Sequence, residues 1–135
     1  MVKRVNVDFY TWSSFQYDTY TGSYYLLLEY GDYKKFIEKH NISGKSDTHL
    51  MLLGVIDGLK MMKKPAKITV YSSALVGFSN IYKNDGTLRN EVKCKFNQEE
   101  KTVIQQLILK GNHIMKNEYF EYTKQKLMDE KILYS

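Results

Sequence analysis

The side chains able to do chemistry are thinly spread in this chain. His40, His49 and His113 are its only histidines. No two stand four residues apart, the spacing that aims two imidazoles from one helix face at a metal. His49 reads as a capping or surface residue. Cys94 is the only cysteine, so no disulfide forms within the chain. Its setting, Lys93-Cys94-Lys95, favours a thiolate, but no base or second thiol lies nearby, and it reads as a half-buried residue. There is no glycine-rich dinucleotide loop, no P-loop and no serine elbow. One group offers binding chemistry. Lys60, Lys63, Lys64 and Lys67 surround a single helix–strand junction. Ammonium contacts to phosphate supply most non-specific affinity for nucleic acid, which makes these four the nucleic-acid-binding candidates. The same run also reads as a solvated helix end.

The elements that must carry these residues follow from periodicity. Val5, Val7 and Phe9 alternate with Asn6, Asp8 and Tyr10, giving a strand that Thr11–Ser14 ends. Gln16–Gly22 is a polar, Tyr-rich loop, and Tyr24–Tyr30 and Tyr33–Ile42 complete an antiparallel meander across the Gly31-Asp32 turn. Ser46, Asp47 or Thr48 caps a helix whose stripe is Met51, Leu52, Val55, Ile56, Leu59 and Met62, and Pro65 stops it at the preceding residue. Lys67–Ser72 is a fourth strand, parallel to an earlier one across the helical crossover. A short helix is expected over Ala74–Tyr82 and a turn at Asn84-Asp85-Gly86. A helix follows from an Asn97 cap to a Gly111-Asn112 stop, then a strand over Glu118–Thr123 and a last helix over Lys126–Leu133.

Composition sets the outer limits. The 135 residues are one domain's worth of chain, spanning residues 1–135. At 43% hydrophobic and 26% charged, the balance is that of a globular domain, which excludes a disordered chain. The longest apolar run, Leu50–Ile56, is far short of the ~20 residues of a membrane span. With no secretory h-region behind Met1, a cytoplasmic location is expected. The net charge of +5 permits polyanion binding without demanding it.

Three fragments carry a family resemblance. Phe9-Tyr10-Thr11-Trp12-Ser13-Ser14 looks like the first-strand motif of ribonuclease H, hydrophobic–x–Thr–Asp–Gly–Ser, with Trp12 at the Asp position. Ser46–Lys60 is similar to the family's first helix, with Met51 where its Glu stands. Ile68–Ala74 resembles the fourth strand ending in Thr-Asp-Ser, with Ser73 in place of the Asp. The resemblance covers residues 3–82; beyond that it rests on element order. It implies a ribonuclease H-like α/β (α+β) fold: a five-stranded mixed sheet, strands one to three antiparallel, with flanking helices. The family's last-helix acid is matched by Asp129 if Glu118–Thr123 is a strand. It is matched by Glu121, in Asn117-Glu118-Tyr119-Phe120-Glu121, if that segment is helical.

Ribonuclease H uses two Mg²⁺ ions about 4 Å apart to activate water and steady the leaving oxygen. Magnesium wants carboxylate oxygens. An indole, a thioether and a hydroxyl at Trp12, Met51 and Ser73 remove three of them. Nearby acids do not replace them: Asp8 lies about 13 Å along the strand from Trp12, and Asp57 is turned about 240° around the helix from Met51. Asp18 and Asp47, at loop ends, are the acids left that could approach the site. The expectation is a catalytically inactive, non-enzymatic module without cofactor that binds an RNA/DNA hybrid or other nucleic acid, with Trp12, Met51 and Ser73 within about 10 Å of one another. A module that docks a protein partner, and a divergent nuclease with a rebuilt Mg²⁺ site, are the alternatives. No membrane partner is expected.

Overall fold

A computed structural model describes residues 3–73, 78–83 and 87–134. The chain runs β1 (Val5–Gln16), β2 (Thr21–Tyr30), β3 (Tyr33–Ser43), α1 (Asp47–Lys60), β4 (Ala66–Ser72), α2 (Gln98–Gly111), β5 (Ile114–Tyr119) and α3 (Thr123–Tyr134). The five strands form one sheet in the order β3-β2-β1-β4-β5. β1–β2 and β2–β3 are antiparallel, and β1–β4 and β4–β5 are parallel. This is the ribonuclease H-like arrangement expected from the sequence.

Alternation assigns the two sides of the sheet. Val7, Phe9, Thr11 and Ser13 of β1 face the side of α1, where Ser13 Oγ donates to the Asp47 carbonyl at 2.7 Å. The core lies here: Phe9, Leu26, Leu28, Ile68 and Val70 from the sheet meet Leu52, Val55 and Leu59 from α1 and Ile104 and Ile108 from α2. The helix comes close because residue 58 is glycine. A Cβ on Gly58 would lie 2.6 Å from Leu26 Cδ2 and 2.8 Å from Phe9 Cε2. Asp8, Tyr10 and Trp12 face the other side, which α3 covers with Leu127, fully buried, and with Lys124 and Lys126.

Several boundaries differ from those read in the sequence. β1 does not stop at Thr11. It pairs with β2 as far as Gln16↔Thr21, and Thr11 Oγ1 donates to the Tyr71 carbonyl, so polar side chains that looked like a loop are satisfied inside the strand. Ser46 is the α1 cap, its hydroxyl accepting from His49 N–H at 3.0 Å. α1 ends at Lys60, well before Pro65, where Met61 N–H closes the last turn onto Gly58 and Leu59. Asn97 precedes α2 but adopts a left-handed conformation (φ 58°) and makes no side-chain cap. Asn112, also left-handed, ends that helix. β5 is Ile114–Tyr119, four residues ahead of the expected Glu118–Thr123, because His113 and Met115 are the positions that bury. Of the expected helix over Ala74–Tyr82, Phe78–Asn80 forms one 3-10 turn. Its residues 74–77, and the turn at residues 84–86, lie outside the described residues.

Candidate functional site

β1 and β4 stay in register up to Tyr10↔Tyr71. Two residues further on come Trp12, still inside β1, and Ser73, just past the end of β4. Trp12 is half-buried on the α3 side, its ring 5.4 Å from that of Tyr25, and Ser73 is exposed. Above the indole sits an ammonium: Lys124 Nζ is 4.8 Å from the ring centroid. Next along, Tyr10 stacks on Tyr71 at 4.7 Å, with Lys126 Nζ 4.6 Å from the Tyr10 ring. Burial first, then the carboxylates of Glu29 and Asp8, push the Tyr10 phenol up to about 12.

Met51 lies on α1, while the Trp12 ring lies against Tyr25 and Lys124. Met51 is 6% exposed and packs in the core on the α1 side of the sheet. The β1–β4 pairing ends at Tyr10↔Tyr71, two residues short of Trp12 and Ser73, and Met51 belongs to the α1 side of the sheet. Asp129 is exposed on α3 and accepts from Gln125 at 2.7 Å. Asn117 and Glu118 lie in β5, which removes the helical reading of that segment, and Glu121 is exposed in the turn before α3. The α3 side chain at Trp12 is Lys124. Sequence reasoning missed it, because placing the fifth strand four residues late pushed the helix start beyond it.

The acids on this side are held by lysines. Asp8 pairs across to Glu29, whose carboxylate lies 3.2 Å from Lys126 and 3.8 Å from Lys34, and Glu130 lies 3.0 Å from Lys34. Burial, then the Glu29 charge, raises the Asp8 carboxyl above its ordinary range. On the opposite side, Asp57 of α1 accepts from the Tyr24 hydroxyl and pairs with Lys39 at 3.1 Å. Among the described residues no three His, Cys, Asp or Glu side chains cluster in a way that would hold a metal. An indole under an ammonium is the opposite of what two magnesium ions need. The side chains here do not suit that pair.

The basic candidates lie at the far end of the same strands. Lys60 in the last turn of α1 and Lys63 and Lys64 in the connection to β4 line a cleft of about 540 Å³ together with Lys110 from the last turn of α2. None of these four lysines makes an ion pair among the described residues. Lys67 is exposed on β4 and does not line the cleft. Lys110 was not legible as a partner, being far along the chain. The stop at Gly111-Asn112 marked its helix end, yet nothing showed that the ends of α1 and α2 meet.

His113 forms part of the cleft wall. Its Nδ1 accepts from Ala66 N–H at 3.0 Å, which requires a neutral ring. Burial, then the Arg4 charge, lowers its pKa below 6.5. The unfolded chain therefore takes up this proton first as pH falls. The contribution of His113 to stability is complete above pH 6.5 and is lost as the pH drops through the folded-state value. Urea midpoints should fall between neutral and mildly acid pH, and His113→Gln should flatten that part of the slope. An unchanged slope would contradict this role.

The other candidates have structural partners. His49 Nδ1 accepts from Lys45 N–H at 3.2 Å while Nε2 lies 3.5 Å from buried Glu100, tying the start of α1 to α2. His40 meets Ser23 at 2.9 Å, and Cys94 is half-buried with Sγ 3.2 Å from the Phe96 carbonyl.

Strand order, the α1 crossover and the packing of α3 define a protein of ribonuclease H-like fold. Solved structures bear this out. The chain superposes on the type 1 ribonuclease H designated LC9-RNase H1, which carries a type 2 active-site motif, with a TM-score of 0.59 and 11% identity over 89% of this chain. It spans 64% of that protein's length. It also matches a foamy viral protease-reverse transcriptase, solved in complex with double-stranded DNA, with a TM-score of 0.53 and 12% identity, covering 84% of this chain and 80% of the other. No family model and no curated protein sequence matches. Among the described residues no helix is long and apolar enough to cross a membrane.

Proposed function

We propose that this chain is a ribonuclease H-like module that binds nucleic acid without cleaving it. The observation that carries the reading is the cleft of Lys60, Lys63, Lys64 and Lys110, four cations without ion-pair partners among the described residues, on a fold whose relatives act on nucleic acid. Phosphate oxygens supply the charge this cleft lacks, and counterions released from the polyanion supply the free energy. The Lys124–Trp12 contact supports the absence of cleavage, because it fills the β1 position that matches the family's first-strand metal carboxylate.

A salt titration tests the binding half. Affinity for an RNA/DNA hybrid should fall linearly with the logarithm of salt concentration. Each lysine of the cleft replaced by glutamine should reduce the slope by roughly 0.7–0.9 per lost phosphate contact. Absence of binding at low salt would instead favour a protein-docking module.

A further inference from the structure

The lysine cleft does not end at its cations. It adjoins a second recess of about 310 Å³, with Met62, Lys63 and Lys64 forming part of the wall of both. The second recess has another character. Its lining includes Leu28 and Val5 from the sheet, Met61 from the end of α1, and Tyr30 and Tyr33. These two tyrosines are register partners flanking the Gly31-Asp32 turn, where Gly31 takes φ 56°. They are 46% and 55% exposed, so the hairpin tip holds two aromatic rings in solvent beside a thioether-lined hollow. Asp32 in that turn makes no ion pair with either lysine among the described residues.

An apolar, ring-edged hollow that opens into a cationic cleft matches a ligand with a flat apolar group attached to a phosphate chain. We infer that this composite site takes single-stranded nucleic acid, with one unpaired base seated against Tyr30 and Tyr33 and the flanking phosphates on Lys63, Lys64, Lys60 and Lys110. This rests on the reading that the cleft binds nucleic acid and adds which form it prefers. Charge complementarity sets the phosphate positions, and aromatic stacking is a sequence-tolerant contact because every base has a π face. A base within a duplex is already stacked and paired, so a duplex meets the lysines alone.

Fluorescence anisotropy with a labelled single-stranded oligodeoxynucleotide and a blunt duplex of equal length separates the two levels. The single strand should bind more tightly. Tyr30→Ala combined with Tyr33→Ala should weaken single-strand binding about tenfold and leave duplex binding unchanged. Tyr30→Phe with Tyr33→Phe should restore it, since stacking needs the ring and not the hydroxyl. Lys63→Gln with Lys64→Gln should weaken both ligands. If the alanine pair weakens neither ligand, or both equally, the base-seating inference is overturned while the lysine reading stands. If neither ligand binds at low salt, the lysine reading fails and takes this inference with it. Both tyrosines are exposed, so the variants should keep the wild-type circular dichroism.

Discussion

Incubated with an RNA/DNA hybrid and Mg²⁺ or Mn²⁺, the purified protein is expected to release no product beyond a protein-free blank. Two unit charges 4 Å apart repel by about 4 kcal/mol at an effective dielectric of 20, and divalency multiplies this fourfold. Carboxylates between and around the ions must offset that repulsion. At the positions that resemble the family's carboxylates stand Trp12, Met51 and Ser73, and α3 adds a positive charge, with Lys124 Nζ 4.8 Å from the indole. Restoring Trp12→Asp, Met51→Glu and Ser73→Asp together is not expected to be enough. A carboxylate at position 51 would be buried in the apolar core, where an unpaired charge costs several kcal/mol or stays protonated. Any rescue has to include Lys124→Gln as well. Multiple-turnover cleavage by the wild type, lost in Ser73→Ala, would overturn the non-catalytic reading.

Replacing Phe9 should have the largest effect on stability. Its ring is fully buried on the central strand and lies with Leu26 against Gly58 of α1. Phe9→Ala should cost about 3–5 kcal/mol in urea unfolding, from lost transfer energy and the cavity left behind. That approaches the whole stability of a domain this size, so Phe9→Leu serves as the milder variant. Gly58→Ala should also destabilise, although alanine is worth roughly 1 kcal/mol more than glycine in a helix interior, because the new methyl runs into the Phe9 ring. The two effects should couple. With the ring gone, the methyl introduced by Gly58→Ala enters the vacated space, and the double variant should be more stable than the sum of the singles implies. Strict additivity would show that Gly58 is not required by this contact.

What the sequence made legible was what short-range pattern controls. Alternation from Val5 to Phe9, the stripe from Met51 to Leu59 and the Ser46 cap pointed to the meander, the helix and the crossover, and hence the sheet order. Errors arose where tertiary partners satisfy polar groups. Thr11 and Ser13 look like loop residues until Tyr71 and Asp47 accept from their hydroxyls. β5 was displaced because its inward positions include Asn117, whose amide donates to the Val70 carbonyl at 2.8 Å, so apolar alternation alone does not mark it. At the candidate site, β1 and β4 pair as far as Tyr10↔Tyr71, just short of Trp12 and Ser73, whereas Met51 packs in the core on the α1 side. Lys110 joined the lysines by a contact between the ends of α1 and α2 that no local pattern encodes.

Trp12 is the chain's only tryptophan, and it stands well along β1 from Val5, which borders the apolar recess. Seven steps along the strand separate the two, roughly 23 Å at the usual rise. The indole's other cover is α3, through Lys124. Its fluorescence is therefore an internal gauge of α3 docking. Occupancy of the lysine end leaves it unmoved, and the same cuvette can follow binding by a label on the ligand and helix release by the protein's own emission.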